Sequence, residues 1–324
     1  MEEGSRNHRS ARRSFLKAGA TIPLGLAAAK ALGGKGAGLA DVAAEAPPMP
    51  TVALGKHAIS RLISGGNPIN GGSHLSRFVD RSMRKYFTTE RIQEYLGRCV
   101  RAGINTWQSS GNNHRHWQQF RKSGESMNYI ALAHASTRSP SVAQAARMGF
   151  LGIAHHGEVT DRLFKTGKID KAREFLKKVR DAGLCVGLST HMPAVVDYVE
   201  AKGWDLDFYM TCVYERHRSR DELLKILGHV PVCVGEVYLE DDPPRMYKAI
   251  CATRRTCLAF KILAAGRLCQ SPSQVEQAFE TTFKNIKPTD AVILGMFPRW
   301  TDQIRENAAL VRRFGGGKRA TRQG

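Results

Sequence analysis

The feature that most constrains the fold of this sequence is an alternation of short apolar runs with longer amphipathic stretches. From residue 51 onward, runs that read as buried strands alternate with segments whose apolar residues recur at helical spacing. Such an alternation predicts parallel strands joined by crossover helices. We count eight such strand units, the number that closes a (β/α)8 barrel. The sequence therefore predicts an α/β protein of the TIM-barrel class.

The predicted elements are separated by glycine, proline or polar residues. The strands are expected at 62–64, 104–108, 129–135, 151–156, 184–190, 208–214, 257–261 and 291–295. The helices are expected at 89–102, 139–148, 169–182, 193–202, 244–254, 271–285 and 301–314. Between residues 215 and 242 a longer excursion interrupts the alternation, and no regular element is predicted there.

The first 46 residues read as an export signal followed by a linker. Residues 10–20 are SARRSFLKAGA, and Arg12-Arg13 followed by Ser-Phe-Leu-Lys resembles the twin-arginine motif. The stretch 18–32 is weakly apolar and contains Pro23 and Lys30, so no stable membrane span is predicted. The twin-arginine translocase is the expected partner during export, and the destination is periplasmic or extracellular. Cleavage after Ala40 or after Ala44 would both suit the sequence.

The remaining chain is long enough for one large domain. Residues 47–314 are predicted to form the barrel, and residues 315–324 a disordered basic tail. The composition, 42% hydrophobic and 24% charged residues, is that of a globular protein. The seven cysteines contain no CxxC pair, and Cys185, Cys212 and Cys257 are expected as core thiols. A disulfide between Cys251 and Cys257 is left open.

The chain is strongly basic, with a formal net charge of +20. The excess continues within the predicted barrel, for example at Arg77, Arg81, Arg84, Lys85 and Arg91. Such a field favours anionic partners. No helix-turn-helix, zinc-finger or RNA-recognition signature is present, so no specific nucleic-acid partner is predicted. A solvated basic surface and a surface that binds an acidic polymer both remain open.

Five segments resemble the aldo/keto reductase superfamily. They are LGKHAISRLISGGNPINGG (54–72), RCVRAGINTWQSS (98–110), VRDAGLCVGLSTHMPAVVDYVEAKG (179–203), CLAFKILAAGRL (257–268) and AVILGMFPRWTDQIRENAAL (291–310). The resemblance implies a TIM barrel, NADP as cofactor and a small carbonyl or sugar-type substrate. Its nucleotide-binding positions fall on Gly295, Arg299, Arg305 and Asn307, with the two arginines facing a 2′-phosphate. An outer helix with solvated arginines is the alternative.

The family's catalytic Asp, Tyr, Lys and His do not all carry over. The Asp position falls at Gln108 and the Lys position at His134, whereas the family's His is matched by His156. No tyrosine stands among residues 111–114, which read GNNH. Because the Tyr–Lys pair protonates the forming alkoxide in the family, its replacement implies altered chemistry. The candidate catalytic residues are His156 first, then His134, Lys261 and Gln108.

The same strand ends also permit a metal centre. His134, His156, His191 and Glu215 follow strands three to six, and imidazoles with a carboxylate suit zinc or a similar divalent ion. A single histidine in such a position is more often a structural hydrogen-bonding group than a metal ligand, so the structural role is the alternative for each of them. Of His155 and His156, alternation allows only one to face the barrel, and the family register favours His156. His114 and His116 are expected in a solvated polar loop.

The leading hypothesis is an exported aldo/keto reductase-like enzyme with altered chemistry, acting on a carbonyl or sugar-type molecule. Two alternatives come from other classes. The first is a metal-dependent lyase, isomerase or hydrolase that uses the histidine-rich strand ends. The second is a non-catalytic protein that binds an anionic polymer. Because unrelated reactions share this fold, the choice among them depends on the site.

Overall fold

The computed structural model describes residues 47–137, 140–216, 218–233 and 235–316. The export signal predicted for residues 1–46 lies outside the described residues. The same holds for the basic tail from residue 317 onward. The last helix continues through Gly315.

Ten strands form a small hairpin and a closed barrel. They are β1 (Thr51–Leu54), β2 (His57–Ser60), β3 (Leu62–Gly65), β4 (Thr106–Ser109), β5 (Asn128–Ala133), β6 (Gly152–His155), β7 (Cys185–Thr190), β8 (Phe208–Cys212), β9 (Thr256–Phe260) and β10 (Ala291–Gly295). Strands β3 to β10 are parallel, follow chain order around the ring and close by pairing β10 with β3. The predicted (β/α)8 barrel is therefore confirmed.

Helices surround the barrel. They are α1 (Arg77–Tyr86), α2 (Thr89–Arg101), α3 (His114–Arg121), α4 (Val142–Met148), α5 (Gly157–Lys165), α6 (Asp170–Asp181), α7 (Pro193–Ala201), α8 (Arg220–Leu227), α9 (Asp242–Ala252), α10 (Pro272–Asn285) and α11 (Gln303–Gly315). Helices α1, α3, α5 and α8 were not predicted. Helices α1 and α8 are short, and each buries a single residue, Met83 and Leu223, so few apolar residues mark them in the sequence. Throughout the described ranges, every helix is too short or too polar to cross a membrane.

The inside of the barrel is filled at its N-terminal end by apolar side chains. Alternate residues of the strands point inward, and the hairpin β1–β2 packs beneath them. These residues form one buried cluster: Val52, Leu54, Ile59, Ile63, Ile130, Leu151, Ala154, Phe208, Met210, Leu258, Ala291 and Ile293. The Oγ1 of Thr256, at the start of β9, donates a hydrogen bond to the carbonyl of Ala53 in the hairpin. The hairpin thus closes the N-terminal end, which we call the barrel base.

The cysteines are all free thiols. Cys212 and Cys257 are buried in strands as predicted, whereas Cys185 is half-buried. Cys251 is exposed on α9, and its thiol donates to the carbonyl of Asn285 rather than pairing with Cys257. The fold is therefore held by its core without a disulfide.

Candidate active site

Strand register brings the predicted polar side chains to the C-terminal end of the barrel, which we call the barrel mouth. Gln108 lies beside Ile130, an inward residue, and neighbouring residues of parallel strands point to the same side. Counting by twos from Ile130 along β5 leads to His134 just after the strand. The same count leads from Ala154 to His156 and from Ser189 to His191. The fold thus directs these four residues toward the inside of the barrel at its C-terminal end.

The two adjacent histidines after β6 have different surroundings. The Nδ1 of His155 lies 2.7 Å from the Oγ1 of Thr160, and its ring packs against Phe175 in the helical layer. His156 instead lies at the mouth, with its ring centre 6.2 Å from that of His134. Burial lowers the pKa of His155 to about 3 and also lowers the pKa of His156. Both rings are therefore neutral at pH 7.

One nitrogen of His156 stands out. Its Nδ1 is buried and has no hydrogen-bond partner among the residues that the structure describes. The neighbouring His134 is oriented by its own loop, because its Nδ1 accepts a hydrogen bond from the backbone N–H of Ser136 at 3.3 Å. In its neutral form His134 therefore carries its proton on Nε2. The pair can present one proton donor and one nitrogen that is ready to exchange a proton.

His191 is held on both sides by protein groups. Its Nδ1 donates to the carboxylate of Asp161 on α5 at 2.6 Å, and its Nε2 accepts from Arg216 at 3.2 Å. The same carboxylate accepts hydrogen bonds from the Thr190 hydroxyl and the His191 backbone N–H. Burial lowers the pKa of His191 to about 4, although the Asp161 contact opposes this. His191 thus acts as a neutral link that positions the Arg216 guanidinium.

Arg216 leads to a second carboxylate, Glu236, in the connection between α8 and α9. Glu236 contacts Arg216, lies 3.2 Å from the Nζ of Lys261 and 2.9 Å from the Nδ1 of His74, and accepts a hydrogen bond from Tyr238. Burial would raise the pKa of the Glu236 carboxyl. The hydrogen bond from His74 and the charge of Lys261 outweigh burial and hold that pKa below its usual range. The carboxylate is therefore ionised at neutral pH.

Lys261, which contacts the Glu236 carboxylate, has an unusual backbone conformation. It follows β9 directly with a φ of 63°, a left-handed conformation that non-glycine residues rarely adopt. Its side chain is 8% exposed, and burial lowers the pKa of its amine. Backbone strain of this kind costs about 1–3 kcal/mol and persists where the surrounding structure enforces it.

Several residues of this network were not anticipated from the sequence: His74, Asp161, Arg216, Glu236 and Tyr238. Their one sequence signal is weak, since Glu236 is a lone carboxylate within the mostly apolar run 230–239. The prediction for His114 was wrong. It begins α3 and is 4% exposed, because α3 packs Trp117 and Phe120 into the core. His116, on the same helix, is half-buried.

The predicted metal ligands do not converge. Within residues 47–137, 140–216, 218–233 and 235–316, no three His, Cys, Asp or Glu side chains are placed to hold a metal ion. Glu215 lies 2.7 Å from Arg245 and 3.5 Å from Arg218, so its carboxylate serves ion pairs. His191 faces a guanidinium, which repels a cation. The donor set therefore does not fit the four-residue metal centre predicted from the sequence.

The surroundings of the predicted nucleotide-binding residues differ from those of a phosphate site. A Cβ on Gly295 would lie 2.7 Å from Pro68, so this glycine permits close packing. Arg299 donates to Ser82, and Asn307 is buried. The side chain of Asp302 accepts from the backbone N–H of Arg305, which places a carboxylate at the start of α11.

The Asp302 carboxylate at the start of α11 disfavours a cofactor phosphate at this position. A phosphate would meet the Asp302 carboxylate, which is already paired with Arg98 at 2.8 Å. The arrangement therefore does not fit an NADP phosphate bound by Arg299 and Arg305 at the start of α11.

Comparison with known proteins supports the fold. No protein family description and no curated protein sequence matches the chain. Gox0644 in its apo form is similar with a TM-score of 0.50 at 9% identity, over 85% of this chain and 96% of that one.

Two other solved structures have lower scores. An aldo/keto reductase from Brucella melitensis has a TM-score of 0.47 at 13% identity, over 80% of this chain and 92% of its own. A truncated 3-deoxy-D-arabino-heptulosonate 7-phosphate synthase from Thermotoga maritima has a TM-score of 0.47 at 11% identity, over 83% and 92%. At such identities the likeness concerns the barrel alone, and a fold does not specify a reaction.

Proposed function

We propose that this protein is an enzyme that transfers a proton on a small carbonyl or sugar-type molecule at the barrel mouth. The observation that carries the proposal is the neutral His156, whose buried Nδ1 has no partner in the described part of the chain. Barrels of this class place their reacting groups at the C-terminal ends of the strands, which is where His156 lies. An imidazole is also the side chain best suited to proton transfer near neutral pH.

The proposed roles follow from the contacts of each ring. His156 removes a proton from a carbon next to a carbonyl group, and the electrons of that C–H bond form the double bond of an enolate. The Nε2–H of His134 donates a hydrogen bond to the developing negative oxygen, since its Nδ1 is already engaged by Ser136. Return of the proton gives exchange or isomerisation. Gln108, 7% exposed and directed inward, orients the substrate.

Hydrogen–deuterium exchange tests this function. Small ketoses, aldoses and keto acids are incubated with the protein in D₂O, and loss of the proton next to the carbonyl is followed by NMR. We expect His156→Gln to slow the exchange by roughly 10²–10⁴-fold, the usual contribution of an acid–base group. His155→Gln is the matched control, because His155 faces the helical layer and should keep the rate.

The pH profile gives a second readout. Because burial lowers the pKa of His156, the wild-type rate should persist below pH 6.5, the ordinary histidine value, and fall when this ring is protonated. Equal rates for wild type and His156→Gln would exclude the proposed role. So would the absence of exchange with every compound of the panel.

A specific surface favours a second candidate function, the binding of an anionic polymer. Phe78 on α1 and Trp300 after β10 are 80% and 72% exposed. Arg299 joins the two segments, because it donates to Ser82 on α1 and stacks over the Trp300 ring. Phe78 and Ser82 lie one helical turn apart, so an aromatic and basic patch spans both segments.

Salt-dependent retention on a heparin column tests this candidate. Exposed aromatic rings beside arginines suit a polyanion with stackable faces. We expect Trp300→Ala to elute at clearly lower salt than wild type. Lys202→Ala, at an exposed position after α7, is the control outside the patch and should elute close to wild type. Elution of both variants with wild type would contradict specific binding by this patch.

A further inference from the structure

Four donor groups surround the Glu236 carboxylate, as they would surround a bound carboxylate ligand. Its Oε1 faces the Nδ1 of His74 and the guanidinium of Arg216. Its Oε2 faces the hydroxyl of Tyr238 and the amine of Lys261. Each oxygen thus has two donors, a pattern that matches the planar, two-oxygen geometry of a carboxylate.

The donors and the carboxylate come from different parts of the fold. Arg216 lies in the loop after β8 and Lys261 directly follows β9, and both side chains are less than 10% exposed. Arg216 is fixed further by His191. Glu236 instead comes from the connection between α8 and α9, and its side chain is 21% exposed. The cations are therefore preorganised by the barrel, whereas their counter-ion is supplied from outside it.

Three cations surround the Glu236 carboxylate, and two of them, Arg216 and Lys261, contact it directly. Arg267 adds a third cation, because it donates to the backbone carbonyl of Glu236 and lies 4.3 Å from the centre of the Tyr238 ring. Two other carboxylates lie near these cations: Glu158 contacts Arg216 at 3.2 Å and is half exposed, and Asp161 is engaged by His191. Buried cations are costly unless an anion pairs with them. The mouth therefore favours an anionic group at the position of Glu236.

We propose that these donors form a subsite for a substrate carboxylate, which takes the place of Glu236. The substrate class is then a small acid that also carries a hydroxyl or carbonyl group, such as a sugar acid or a keto acid. This inference rests on the proposed function, since it places the substrate of the same mouth. Arg216 joins the two halves of the site, because it contacts Glu236 and its charge acts on the neighbouring His156.

Isothermal titration calorimetry with sodium glucuronate tests the subsite directly. Glucose is the uncharged counterpart, and sodium pyruvate separates a short keto acid from a sugar acid. Glu236→Gln keeps the shape of the side chain but removes its charge, so Arg216 and Lys261 lack their counter-ion. We expect glucuronate or pyruvate to bind this variant at least about tenfold more tightly than wild type, a difference typical of an unpaired buried charge.

Matched variants make the result specific. Glu240→Gln has the same chemical change in the same connection at an exposed position, and its affinity should equal that of wild type. Adding Lys261→Met to Glu236→Gln should abolish the gain. Glucose should not distinguish any of these proteins. Equal glucuronate and pyruvate affinities for Glu236→Gln and wild type would overturn the subsite.

The test does not depend on the folding of one variant or on turnover. If Glu236→Gln does not fold, wild type alone is titrated. Binding of glucuronate or pyruvate that exceeds the binding of glucose then supports the subsite, and no excess overturns it. The titration measures binding without turnover, so its result is independent of the exchange assay. Carboxylate binding without His156-dependent exchange would refute the proposed function and keep the subsite.

Discussion

The two ends of this barrel are built on opposite principles. The base is filled by apolar side chains such as Phe208, Ile59 and Ile63, each of them fully buried. The mouth buries ionisable groups instead, among them Arg216 and Lys261. Apolar burial stabilises the fold by about 25 cal/mol per Å², whereas buried charges give little net stability even when paired. Stability and site chemistry are therefore separated along the barrel axis.

Backbone strain follows the same division. The non-glycine residues with positive φ, over the ranges that the structure describes, are His74, Lys261, Ala264 and Ala265. All four lie in the connections after β3 and β9, at the mouth. Strained conformations cluster where a site requires a side chain in one place. Apolar packing in the base therefore offsets the free energy that the strained backbone and the buried charges cost at the mouth.

The largest expected effect comes from opening a cavity in the base. Phe208→Ala should lower the free energy of unfolding by about 3–5 kcal/mol, because the large buried ring leaves a void beside Gly187. Urea denaturation followed by circular dichroism measures the change. Phe78→Ala is the matched control, since this ring is 80% exposed and its removal should change stability by about 0.5 kcal/mol or less. Similar losses for both variants would contradict a base that carries the stability.

An intermediate effect concerns acid, which should act on the buried histidines. The folded pKa of His155 is about 3 and that of His191 about 4, both below the unfolded value near 6.5. Unfolding therefore takes up protons below pH 6.5, and stability that is complete above this pH is lost as the pH falls toward 4. Each ring contributes up to about 1.4 kcal/mol per pH unit in that window.

Denaturation midpoints measured from pH 7 to pH 4.5 check this prediction. His155→Gln should reduce the slope of stability against pH, whereas His229→Gln, at an exposed position, should leave the slope unchanged. An unchanged slope in His155→Gln would show that this ring is not held neutral by burial.

The smallest expected effect is relief of strain at the mouth. Ala265 has a φ of 53°, and glycine adopts this conformation without steric cost. Ala265→Gly should therefore raise the free energy of unfolding by about 0.5–1 kcal/mol. Ala143→Gly, at an exposed position in α4, should lower stability by about that amount instead. A loss of stability in both variants would argue against strain at Ala265.

Local sequence patterns predicted most of the barrel. The run Ala291–Gly295 is a strand with the predicted bounds, and Thr88 caps α2 through the backbone N–H of Arg91. Short charged helices escaped prediction, because α1 has only Met83 fully buried and propensity cannot separate such a segment from a loop. The inward direction of His134 and His156 follows from strand alternation once the barrel register is known.

The sequence by itself determined the eightfold alternation and the chemical groups that follow each strand, because strand and helix periods are local properties of the chain. Tertiary structure alone decided which of these groups meet. His74 and Glu236 are 162 residues apart, and Lys261 joins them from another strand end. No local propensity encodes such contacts, since they arise only when closure of the ring brings the loops after β3, β8 and β9 to one mouth.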